Sequence, residues 1–225
     1  MGDQRDVRSL TVGVLGGTGD QGHGLAFRFT AAGMAVLIGS RDEGRAVGAA
    51  DEVNRKVGNR SCAGAHNADI ARRADLVIVA VPYAGHADTL RGLTGELAGK
   101  IVVDCVNPVG FDERGAYPLA VPEGSAAQQA AAVLPDSRVV AAFHHVSAVL
   151  LADPQVSSVD LDVLVLGDDR EATDTVQALA AVIPGVRGIY AGRLRTAGPV
   201  EALTANLIAI NRRYKAHAGI RVTDV

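Results

Sequence analysis

A glycine-rich turn between a short apolar run and a helix-length segment constrains this chain more than any other feature. Val12-Gly-Val-Leu-Gly-Gly-Thr-Gly-Asp-Gln-Gly22 carries Gly17, Gly19 and Gly22 in G-x-G-x-x-G spacing. In that pattern the first glycine permits the tight turn and the second lets the backbone reach a pyrophosphate. The third lets the helix sit close on the sheet. Amides at the helix start then meet the negative charge, so Thr18, Asp20 and Gln21 belong to the same expected site. Thr18 adds a hydroxyl donor. Ile38-Gly-Ser-Arg41 follows where a second strand should end. An acidic residue there would bond the ribose 2′-hydroxyl of NAD. Ser40 and Arg41 instead suit the 2′-phosphate of NADP. Arg45 lies about one helical turn further and can flank the same phosphate.

Beyond this turn, strand-length apolar runs alternate with helix-length segments. Strands are expected at Leu10–Leu15, Ala35–Gly39, Leu76–Val81, Ile101–Val106, Arg138–Phe143, Leu161–Leu166 and around Arg187–Tyr190. Helices are expected at Gly24–Ala32, Asp42–Val57 with Asp42 as N-cap, Ser125–Leu134, Glu171–Ile183 and Pro199–His217. Val109–Glu123 reads as a loop, and Ala148–Asp160 shows no period. Repeated strand–helix units imply a Rossmann-type α/β fold, a doubly wound and mostly parallel sheet, with a small C-terminal α/β extension. The expected division is a dinucleotide-binding domain at 1–150 and a smaller part at 151–225 that serves the substrate cleft and dimer contacts.

Composition narrows the partners. A formal charge of −3 offers no basic stripe for nucleic acid. The polar start, 1–6, has no apolar core of the signal-peptide kind, and no apolar run approaches the roughly 20 residues of a membrane span. Cys62 and Cys105 are too few for a disulfide framework. A cytoplasmic, reduced protein is expected. His66, His86 and His217 show no metal-ligand spacing, and no metal site is expected.

Ligands of open α/β folds bind at the carboxyl edge of the sheet. Val81-Pro82 and Asn107-Pro108 end two strands there, so Pro82 could limit a nicotinamide ring and Asn107 could bond its carboxamide or ribose. His144 and His145 end another strand at that edge, and one of them could face a second substrate. No Ser-His-Asp, Cys-His, paired-carboxylate or Tyr-x-x-x-Lys arrangement is present. Hydride transfer between two bound redox cofactors needs proximity and orientation more than a protein acid or base. No residue is assigned as catalytic, with His144 the one candidate.

Leu15-Gly-Gly-Thr-Gly-Asp-Gln-Gly-His-Gly-Leu-Ala26 with Gly39-Ser-Arg41 closely resembles the NADP-dependent reductases of the deazaflavin coenzyme F420. The likeness continues through Asp75–Pro82, Lys100–Val103, Arg138–His144, Gly167-Asp-Asp169 and Glu201-Ala-Leu203. It implies reversible hydride transfer between C4 of NADPH and C5 of the deazaflavin, a Rossmann domain with a small extension, and a homodimer. It also implies that Thr18, Ser40, Arg41 and Arg45 contact NADP and that His144 lies on the deazaflavin side. Two other readings stay open on the residues alone: an NADPH-dependent reductase of a small imine or ketone, and a non-catalytic NADP-sensing module.

Overall fold

The computed structural model describes residues 6–225; most of the polar start lies outside it. Eight strands form one sheet in the order β10-β9-β8-β5-β4-β1-β2-β3. The first half of the chain supplies β1 (Thr11–Leu15), β2 (Ala35–Ser40), β3 (Cys62–His66), β4 (Leu76–Val79) and β5 (Ile101–Asp104). The second half adds β8 (Arg138–Ala141), β9 (Leu161–Gly167) and β10 (Val186–Gly192). Every pair is parallel except β8 with β9, so β9 and β10 run against the rest and extend the same sheet.

Apolar clusters lie on both faces of the sheet, as continuous Val, Leu and Ile strands require. Val12, Val14, Phe29, Ile38, Ile78 and Val140 pack in one. Leu15, Leu37, Val77, Val79, Leu97 and Ala126 pack in the other. The edge-to-face pair Phe29–Phe143, 6.2 Å between centroids, joins α1 (Asp20–Ala31) to the segment after β8. Arg28 is almost fully buried, yet its guanidinium donates to the carbonyl oxygens of Leu151 and Val156, at 2.8 and 2.6 Å, and to that of Leu150. It thereby ties α1 to the end of α7 (Ala148–Ala152).

The sequence pattern missed β3 and the helix α3 (Asn67–Arg73) that follows it. Cys62-Ala-Gly-Ala-His66 has no bulky apolar residue because α2 (Glu43–Val57) lies directly on it. A Cβ at Gly64 would stand 2.2 Å from the Ala46 carbonyl carbon. The segment expected to be a loop contains a hairpin, β6 (Val109–Asp112) and β7 (Gly115–Pro118). Asp112 Oδ1 accepts from the amides of Arg114 and Gly115, and Gly115 takes φ 121° at the turn. Three short helices complete the middle of the chain: α4 (His86–Arg91), α5 (Thr94–Leu97) and α6 (Ala126–Val133). Two long ones close it, α8 (Arg170–Ala180) and α9 (Ala197–Tyr214).

The C-terminal residues are pinned to the sheet. The buried Asp162 carboxylate accepts from Arg187 at 2.6 Å through both oxygens, from Arg221 at 2.9 Å and from the Val222 amide at 2.7 Å. Strand order reverses between β1 and β4, where the chain crosses from the β2–β3 side to the β4–β5 side. A crevice opens at the carboxyl ends of strands at such a switch point.

Candidate functional site

The turn after β1 is built from backbone alone. Its left-handed residue is Gly16, with φ 75°, one position before the glycine to which the spacing assigned the tight turn. A Cβ at Gly16 would sit 2.7 Å from the Ala80 carbonyl oxygen. Gly17 is buried beneath the turn and donates its amide to Gly39 O at 3.2 Å. Gly19 is the N-cap of α1, with no side chain occupying the cap, which leaves first-turn amides facing outward. A Cβ at Gly22 would come within 2.8 Å of Gly16 O, so the helix sits as close on the turn as only glycine allows. Gln21 is anchored sideways, donating to Phe143 O at 3.1 Å.

Across the turn, β2 delivers a polar set to the same crevice. Ser40 is 8% exposed, and its Oγ accepts the Asp42 amide at 3.2 Å. Asp42 caps α2 by accepting the Arg45 amide at 3.0 Å, which sets Arg41 and Arg45 on either side of the cap. Both guanidiniums are exposed, and among the described residues neither is in an ion pair. Asn67, at the start of α3, presents a buried Oδ1 with no partner among the described residues. Sequence reasoning could not find Asn67, because the strand before it has no apolar signature.

Opposite these, the ends of β4 and β5 supply two walls. Val81, Pro82 and Tyr83 form one side, and Cys105, Val106 and Asn107 the other. Together with Thr18, Gly19, Asp20, Gln21, Ser40, Arg41 and Arg45, these walls enclose a cleft of about 1010 Å³. Such a volume is at the upper end of the range of small-molecule and cofactor sites. Gly17, Gly22 and Pro108 are buried behind the cleft surface rather than on it. The side chain of Asn107 is held within the protein: Nδ2 donates to His144 O at 2.8 Å, and Oδ1 accepts from Thr204 Oγ1 at 3.1 Å.

His144 stands just after β8, as the pattern anticipated, but its imidazole is fully buried and does not reach the cleft. Both ring nitrogens lack hydrogen-bond partners among the described residues, and Glu201 Oε1 is 4.0 Å from Nε2. Burial lowers its pKa to about 4, and that of His145 likewise to about 4. Glu201, on α9, is buried against the start of α6 and accepts the amides of Ala126 and Ala127 at 2.8 and 3.1 Å. Burial nevertheless pushes its pKa up to about 7.

A crevice at the switch point, a glycine turn opening onto a helix N-terminus and paired cations at the end of β2 define a nicotinamide-dinucleotide-binding oxidoreductase fold. The family described as "NADP oxidoreductase coenzyme F420-dependent" matches residues 11–108. The F420-dependent NADP reductase of Methanothermobacter thermautotrophicus is 39% identical over 97% of this chain and 97% of its own length. That of Methanocaldococcus jannaschii is 39% identical over 96% of this chain and 99% of its own. A crystal structure of a candidate F420-dependent NADP-reductase from Arthrobacter sp. FB24 superposes with a TM-score of 0.79. It is 27% identical and covers 96% of this chain and 100% of that one. The chain belongs to the family of F420-dependent NADP reductases.

Proposed function

We propose that this protein catalyses reversible hydride transfer between NADP(H) and coenzyme F420, both held in the cleft at the β1/β4 switch point. The observation that carries this reading is the meeting, in one cleft, of a glycine turn, two exposed guanidiniums and two strand-end walls. First-turn amides of α1 and the Thr18 hydroxyl receive the pyrophosphate, and Gly16, Gly19 and Gly22 keep the approach open. Ser40, Arg41 and Arg45 take the 2′-phosphate through charge-assisted hydrogen bonds. Asn67 offers its orphan carbonyl oxygen to a donor on the adenosine.

When bound, the two cofactors supply the redox chemistry themselves, a hydride passing between C4 of the nicotinamide and C5 of the deazaflavin. The chain's own work is orientation and exclusion of water. Val81 and Pro82 limit the nicotinamide from one side. Asn107, backed by Pro108 and locked by Thr204 and the His144 carbonyl, forms a rigid edge on the other. His144 thus acts on the deazaflavin side from behind the wall, through its carbonyl oxygen. A neutral imidazole buried there exchanges no proton with the cleft near neutral pH.

The same reading divides labour along the chain: residues 1–150 hold NADP, and 151–225 complete the F420 side and the dimer. The protein acts as a homodimer in the cytoplasm; no helix among the described residues is long and apolar enough to cross a membrane. Supporting a dimer, Phe111 of the hairpin is exposed beside Ile208, Ala209, Arg212 and Arg213 of α9. Asp112 lies 3.8 Å from Arg114 on that patch, so with Arg212 and Arg213 it carries both charges, which a two-fold contact requires for self-complementarity. The reaction is tested with NADPH deuterated at the transferring C4 position. Direct transfer carries the deuterium into reduced F420; a product bearing only solvent hydrogen at C5 would overturn it.

A further inference from the structure

The run Ile101-Val-Val-Asp-Cys-Val106 is apolar but for Asp104, whose carboxylate is fully buried. A carboxylate in such a place needs a cation or several donors. It has both. Oδ2 lies 2.6 Å from Nε2 of His86, equally buried at the start of α4, and Oδ1 accepts the Val106 amide at 3.1 Å. His86 Nδ1 faces Gln129 Oε1 at 3.0 Å. Gln129 is oriented by donating Nε2 to Glu123 at 3.2 Å, so its oxygen is the atom turned to the ring. Both imidazole nitrogens therefore meet acceptors, an environment that only the doubly protonated ring satisfies.

The surroundings agree. Charged and titratable groups face this ring from the elements packed on it: Asp104 of β5, Glu123 through Gln129 of α6, Glu201 of α9 and Tyr83 ahead of α4, while Cys105 and His144 act on Asp104 from behind. Burial pulls the His86 pKa down, but the Asp104 hydrogen bond and charge, Gln129 and Glu201 outweigh it, leaving the pKa raised. The Tyr83 ring stacks on His86 at 6.4 Å and 29°. One carboxylate thus straps together both walls of the cleft. It holds Val81–Gly85 through His86, and Cys105–Asn107 through the Val106 amide.

We propose that Asp104 and His86 form a buried positioning pair that sets the spacing of the two cleft walls, and that the imidazolium form is the one that holds them in register. The pair touches no substrate; it acts through Tyr83 and the strand ends. The proposal rests on the cleft being the hydride-transfer site, and its test separates the two claims.

Hydride transfer is followed in single turnover against pH for the full-length wild type, His86→Gln and Asp104→Asn, with NADPH affinity measured separately. The variants are expected to lose roughly 10- to 100-fold in transfer rate while NADPH binding changes little, because the pyrophosphate and 2′-phosphate contacts lie elsewhere. The wild-type rate should also fall on an alkaline limb that His86→Gln lacks. Variant rates and pH profiles matching the wild type would overturn the positioning role. A wild type that transfers no hydride at all would overturn the assigned reaction instead. Should the variants fail to fold, carbon-13 labelling of the wild-type histidines decides. A His86 ring with imidazolium shifts at neutral pH is expected, and a neutral ring would refute the proposal.

Discussion

Arg41 follows directly on the last residue of β2, exposed and without an ionic partner among the described residues, beside a hydroxyl that is nearly buried. Truncating it removes a charge-assisted contact, so Arg41→Ala should raise the KM for NADPH and remove most discrimination against NADH, by about 1.5–3 kcal/mol. Steady-state kinetics with both nucleotides measure this; unchanged selectivity would displace the 2′-phosphate from Arg41. This residue was readable in the sequence because a strand end and a glycine turn fix where a ribose lies. The tight turn was readable only to within one position, since Gly16 and Gly17 are adjacent and backbone sign is invisible in a run of glycines. Asp104 and His86 carried a fainter signal: a lone acid in an apolar strand requires a partner, but nothing in the spacing says which residue folds onto it. Asn107 and His144 were legible as residues near the edge, but not in which direction their side chains point.

At the scale of the element, α2 links the fold to the site. Its N-cap, Asp42, holds the Arg45 amide and positions the two cations around itself. Asp42→Ala should cost about 1 kcal/mol of stability and weaken NADPH binding, while Asp42→Ser, which keeps a cap, should restore most of both. Chemical denaturation and nucleotide titration would check it; equal NADPH affinity in Ala and Ser variants would separate the cap from the site. Elements with strong apolar runs, β1, β4, β5 and β9, were legible within a residue or two. β3 was not, because contact with α2 selects small residues there and removes the apolar signature. The hairpin was missed for a related reason. Both its strands are short and lie largely open, so burial imposes no alternation on them.

At the scale of the whole molecule, three buried groups set opposing responses to pH. His144 and His145 are held neutral down to about pH 4, so the stability that depends on them is complete above their unfolded pKa of 6.5 and is lost as pH falls towards 4. Glu201 works the other way. With its pKa raised from 4.5 to about 7, its contribution is complete below pH 4.5 and is lost as pH rises through 7. Glu201→Gln should therefore make the loss of stability on acidification from pH 7 to 4.5 steeper than in the wild type. Denaturant midpoints across that range test it, and parallel curves would contradict the assignment. If the proposed dimer forms through the Phe111 patch, Phe111→Asp shifts the protein from dimer to monomer in sedimentation; a wild type that is monomeric at every concentration would refute that surface. The central claim is tested most directly by mixing the protein with NADPH and oxidised F420 and following the deazaflavin absorbance, with NADH as control. Rapid bleaching with NADPH and little with NADH is predicted; tight NADPH binding with the deazaflavin left oxidised would contradict it.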